Sequence, residues 1–218
     1  MKPIFTLRLK ELQILDNREI GKAEVKIFSF IASNDISVPA LDEYFKEIDK
    51  PKREKFLKEI SRQVVSTKIL TQVDYIKDNH LIEFGDTGKS LWTINYIPRS
   101  FNWTSLVLES DEDIREFGKK VDDLVTSDEF NSFIPNILTV ASISINPVAT
   151  AYIEIGKFIL RQISSNLMKN KDDQIGLIDQ SFIREFDYPG LRREAFGVYD
   201  LSRNMLYSYL IFGQEGEK

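Results

Sequence analysis

The sequence predicts an α+β protein, mainly an antiparallel β-sandwich with helical insertions. Segments of alternating hydrophobicity, rich in β-branched and aromatic residues, occupy both ends of the chain. Turn residues link most of them, and the helical stretches interrupt the strands as blocks instead of alternating with them as βαβ units. The expected organisation is one domain over residues 1–218, with the sandwich in 1–110 and 171–213 and a helical insertion over 111–170.

Each element has its own signal. Ile4 to Ile14 alternates, but Phe5, Leu7 and Leu9 fall out of phase with Leu12 and Ile14, which predicts a strand with a bulge near Glu11. A turn from Asp16 to Gly21 leads to a second strand over 23–31. From Leu41 to Val65 the period becomes helical, with Tyr44, Phe45 and Ile48, a break at Pro51, and then Phe56, Leu57, Ile60 and Val64. Strands resume over 67–76, 80–84, 90–97 and 104–108, read as hairpin-connected. Ser110 opens a helix as a capping hydroxyl with an acid three residues on, and a longer helix follows Pro147 to about Asn170. Strands return over 175–186, 194–199 and 205–212.

Composition narrows the chemistry. The 218 residues contain no Cys and one His, His80, which excludes a disulfide framework, a thiolate nucleophile and Cys-based zinc or iron–sulfur sites. Neither zinc nor haem is expected. A net charge of −5 sets the chain's own field against duplex nucleic acid. The start has no unbroken apolar run and no small-residue cleavage pattern, so the expected location is cytoplasmic, without a signal peptide.

Gly85-Asp-Thr-Gly-Lys-Ser90 resembles half of a phosphate-cradling loop. Glu83 stands where that loop needs a glycine, and residues 91–96 read as strand where it needs a helix, so no nucleotide is expected. No Gly-x-Ser-x-Gly elbow occurs, and a histidine triad would have His80 alone to use. The expectation is a non-enzymatic protein. A hydrolase working with carboxylates alone stays open, because no spacing selects a pair among the 34 acids.

Two segments stand out by charge. Between Glu109 and Glu129 nine acids face three basic residues, whereas residues 131–153 carry no charge at all. Clustered carboxylates suit a hard cation, although acids are also expected in the first turn of a helix from the dipole alone. The uncharged segment is about long enough to span a bilayer. Pro135, Pro147 and several Ser, Thr and Asn residues punctuate it, which favours buried core or a pair of short elements over a spanning helix. Its release and insertion into a membrane is the alternative functional reading.

Leu106-Val-Leu-Glu-Ser-Asp-Glu-Asp113 and Asp172-Asp-Gln-Ile-Gly176 resemble the strand, acidic loop and strand start of the calcium- and phospholipid-binding β-sandwiches called C-two domains. Leu7 to Leu15, the loop at Asp16 and Ala23 to Ile27 are similar to that family's first hairpin. In the family a short loop separates the two acidic pieces; here residues 114–170 do. The resemblance implies a calcium site made of Asp111, Asp113, Asp172 and Asp173 with Asp16, and docking to an anionic membrane surface; a protein partner is the other target expected of a binding protein.

Overall fold

The structure is a computed structural model that describes residues 2–16, 23–35, 38–49, 51–53, 55–56, 59–60, 69–109, 119, 123, 127–168 and 174–216. Among the described residues, nine strands form two antiparallel sheets: β1 Ile4–Ile14, β2 Ala23–Ser33, β3 Ile69–Ile76, β4 His80–Glu83, β5 Lys89–Ile94, β6 Ser100–Glu109, β7 Gln174–Ile183, β8 Arg192–Tyr199 and β9 Met205–Gln214. Among the described residues, helices accompany them: α1 Pro39–Lys46, α2 Asp128–Ala141, α3 Pro147–Met168 and the single turn α4 Arg184–Asp187, with residues 51–53, 55–56 and 59–60 also helical. The first sheet runs β4-β1-β9-β8 with β5 also on β1; the second runs β3-β2-β6-β7.

Alternation in β1 works as the sequence indicates. The register against β9 slips between Leu9 and Glu11, and that bulge returns Leu12 and Ile14 to the face that already buries Phe5, Leu7 and Leu9. These residues share one apolar cluster with Val25, Ile27, Phe101, Trp103, Val107, Ile178 and Phe182 of the second sheet. Aromatic edges lock the two sets together: Trp103 meets Tyr207 at 90° and Phe5 meets Phe101 at 71°.

The hairpins expected between residues 67 and 97 do not form. β3 belongs to the second sheet, while β4 and β5 lie end to end along one edge of β1, pairing with Glu11–Ile14 and Phe5–Leu9 respectively. The intervening Gly85-Asp-Thr-Gly88 crosses that edge as a turn. Gly88, at φ +73°, lies so close that a Cβ there would be 2.7 Å from the Leu9 carbonyl oxygen. The segment after it is strand, where a phosphate-cradling loop needs a helix.

β6, inside the second sheet, is buried on both faces, every residue from Phe101 to Glu109. Phe28, Phe30, Leu106 and Leu108 point away from the first cluster into another, formed with Leu41 and Tyr44 of α1, Phe130, Ile134 and Leu138 of α2, and Tyr152, Ile155 and Ile159 of α3. Gly156 makes the closest approach; a Cβ there would fall 2.3 Å from the Phe30 ring. The uncharged segment is therefore a helix, a turn and the start of a second helix. Pro147 takes the first position of α3, where its missing N–H costs nothing, and Asn146 Oδ1 accepts the Ala149 N–H at 3.3 Å. No helix among the described residues is long and apolar enough to cross a membrane. Apart from Lys119 and Asp123, which are helical, the helix expected after Ser110 lies outside the described residues.

Candidate functional site

Strand order brings Glu109 and Gln174, the described residues flanking the acidic stretches, to one end of the second sheet. β6 and β7 are antiparallel neighbours, and Leu108 pairs with Gln174, so the chain leaving β6 at Glu109 starts beside the point where it enters β7. Val25 pairs with Glu109, which puts the start of β2 at the same end. The end of β1 joins them through Asn204, whose side-chain amide donates to the backbone oxygens of Asp16 at 2.8 Å and Ile175 at 3.0 Å. Asp16 itself is exposed at this rim. Asp111, Asp113, Asp172 and Asp173 lie outside the described residues, and among the described residues no three His, Cys, Asp or Glu side chains are grouped to hold a metal.

An acid that sequence reasoning missed organises this end. Asp200 is buried, and its carboxylate accepts N–H groups from across the β8–β9 turn and from β7. Oδ1 takes Asn204 N and Met205 N, each at 2.9 Å; Oδ2 takes Leu177 N at 2.9 Å, Ser202 N at 3.0 Å and the Ser202 hydroxyl. Leu201 N donates to the Leu177 carbonyl at 2.9 Å. With both oxygens so engaged, Asp200 acts as a clasp and has no lone pair directed at a cation. Its sequence signal is a turn acid with Ser two residues on and Asn four residues on.

A second feature lies along the helix-facing side of β7. α3 packs over β2 and β6, Leu177 of β7 lies partly buried against the same cluster, and a cleft of about 380 Å³ lies between β7 and α3 with Asp179 exposed beside it. Leu106, Leu160 and Leu177 form apolar walls, with Thr104, Lys157, Arg161, Ser165, Gln174 and Asp179 supplying polar groups. Lys157 Nζ stands 3.3 Å from Asp179 Oδ2. The other oxygen of Asp179 accepts the Thr104 hydroxyl at 3.0 Å and the Asn102 amide at 3.3 Å. Lys157 also lines a neighbouring hollow of about 410 Å³ that holds Arg99, Asn102, Ser181 and Glu185. The described lining of each cavity thus contains one carboxylate, not the facing pair that carboxylate hydrolysis uses.

Exposed apolar side chains also stand away from this cleft. The α2–α3 turn, Ser142 to Asn146, presents Ile143 at 87% and Ile145 at 107% exposure. Asn146 Nδ2 donates to the Asn34 carbonyl at 2.6 Å, which fixes this turn where β2 ends, the opposite end of the sheet from Glu109. The 22 residues of α3, about 33 Å of helix, run from one end towards the other. No family model matches the chain, and no curated protein matches it significantly.

Proposed function

We propose that the protein is a non-enzymatic binding module of C-two-like design, its two sheets stacked as a β-sandwich with 111–170 as a helical insertion, and that it takes calcium at its acidic end. Asp111 and Asp113 on one side and Asp172 and Asp173 on the other would supply the oxygens, with Asp16 at the rim. The supporting observation is the pairing of Leu108 with Gln174, which starts the two acidic segments from adjacent strands despite the long insertion between them. Bound calcium would neutralise these loops and permit approach to an anionic surface.

The test is a thermal melt with and without millimolar calcium, on the natural sequence and on Asp111→Asn with Asp172→Asn. A ligand present at a hundred times its Kd adds about 2.7 kcal/mol of stability, so a clear rise is expected, lost in the double variant. An unshifted natural protein defeats the cation reading and leaves the acids as solubility and helix-dipole residues.

A second reading rests on the exposure of Ile143 and Ile145. In it, the uncharged α2–α3 turn inserts into a lipid surface. Leakage from anionic vesicles at neutral and acid pH, abolished by Ile143→Ser with Ile145→Ser, is the expected result. A protein that never permeabilises such vesicles is not membrane-active. The two readings use opposite ends of the second sheet, so either can fail without the other.

A further inference from the structure

The cleft between α3 and β7 has the make-up of a small-molecule ligand site. Its volume, about 380 Å³, lies within the usual range for small-molecule pockets. Thr104, Leu106 and Leu160, which line it, are buried, so this is a recess and not an open face. Lys157 and Arg161 are four residues apart on one face of α3, a like-charge spacing that disfavours the helix unless compensated.

Compensation is one-sided. Asp179 pairs with Lys157 and commits its other oxygen to Thr104 and Asn102. Arg161 has no ion pair among the described residues, and Lys157 keeps further N–H donors beyond the one aimed at Asp179. Two cations therefore line the cleft against one carboxylate among its described residues, beside a wall of Leu106, Leu160 and Leu177.

Edge geometry speaks against an added peptide strand as occupant. The outward N–H of Leu177 is taken by Asp200 at 2.9 Å, its carbonyl by Leu201 at 2.9 Å, and the N–H of Ile183 by Asp187 Oδ2 at 2.7 Å. Both ends of the β7 edge are thus closed to main-chain pairing.

We infer that this cleft binds a small organic monoanion, a carboxylate with a short aliphatic chain, with its head between Lys157 and Arg161 and its chain on Leu106, Leu160 and Leu177. The assignment uses none of the proposed calcium ligands, and its probes contain no metal, so it is tested apart from the cation reading.

The experiment is calorimetric titration of the full chain with octanoate below its micelle concentration, with octanol and octylammonium as comparison probes. Saturable octanoate binding is expected, with octylammonium not binding and octanol at least about tenfold weaker. Arg161→Gln, at an exposed position, should weaken octanoate about tenfold while leaving the melting temperature unchanged. Leu177→Ser should weaken octanoate without altering the Lys157–Asp179 pair. Absence of octanoate binding, equal binding of octylammonium, or an undiminished affinity in both variants overturns the assignment.

Discussion

The Asp200 carboxylate accepts the backbone N–H of Leu177 at 2.9 Å, so the turn between the last two strands of one sheet holds the edge strand of the other. The same carboxylate closes its own turn through Asn204 N and Met205 N. Asp200→Ala should therefore leave several N–H groups without acceptors, at about 1–3 kcal/mol for each one buried. A loss of at least about 3 kcal/mol in urea unfolding is expected. Asp200→Asn should recover part of it, because one amide oxygen can still accept.

Gly156 is where α3 comes down on β2. In Gly156→Ala the new methyl would lie 2.3 Å from a ring carbon of Phe30, which is itself buried. Overpacking of this kind costs about 1–3 kcal/mol, outweighing the better helix propensity of alanine, worth about 1 kcal/mol. The variant should melt lower, and Gly156→Ala with Phe30→Leu should recover part of the loss.

The Lys157–Asp179 pair is partly exposed, at 20% and 33% for the two side chains. Lys157→Met should change stability by less than about 1 kcal/mol, since Asp179 keeps its bonds from Thr104 and Asn102. Chemical denaturation measures it, and a larger loss would show that the pair holds α3 in place.

Three tyrosines set an alkaline limit. Burial pushes the Tyr188 and Tyr207 hydroxyls well above their ordinary range, and burial also raises Tyr209 against the opposing pull of Arg193. Tyr188 donates to the Pro98 carbonyl at 2.8 Å, a bond that the phenolate could not make. The neutral form is favoured in the fold, so the contribution is complete below the unfolded value near pH 10 and is lost as pH rises above it. Each such tyrosine should remove at most about 1.4 kcal/mol per pH unit there. Melts across alkaline pH, paired with tyrosinate absorbance, should show these tyrosines ionising together with unfolding.

Ile143→Ser with Ile145→Ser should leave the melting temperature almost unchanged, because both side chains are already in solvent. A clear drop would mean that they pack against protein.

Much of the fold is legible residue by residue. The phase change after Leu9, the restart at Pro147 and the strand after Gly88 are local matters of side-chain period, proline geometry and glycine conformation, and the structure contains all three. Strand partnership is not local. The turns after Ile76 and Glu83 look like hairpin turns, yet the first carries the chain from one sheet to the other and the second continues along β1, because Ile82 and Leu91 both bury on the β1 side of the core.

The candidate sites divide in the same way. Composition by itself determined the excluded chemistries, the acidic surplus between Glu109 and Glu129 and the uncharged stretch 131–153. Which of these meet depended on register: Leu108 opposite Gln174 starts two acidic segments side by side, while Asn146 on the Asn34 carbonyl sends the exposed isoleucines to the far end. The cleft over β7 had no sequence signal beyond Lys157 and Arg161 flanking an apolar stripe. It exists because α3 packs on β2 and β6 beside the edge strand β7, a juxtaposition of distant segments that no local pattern encodes.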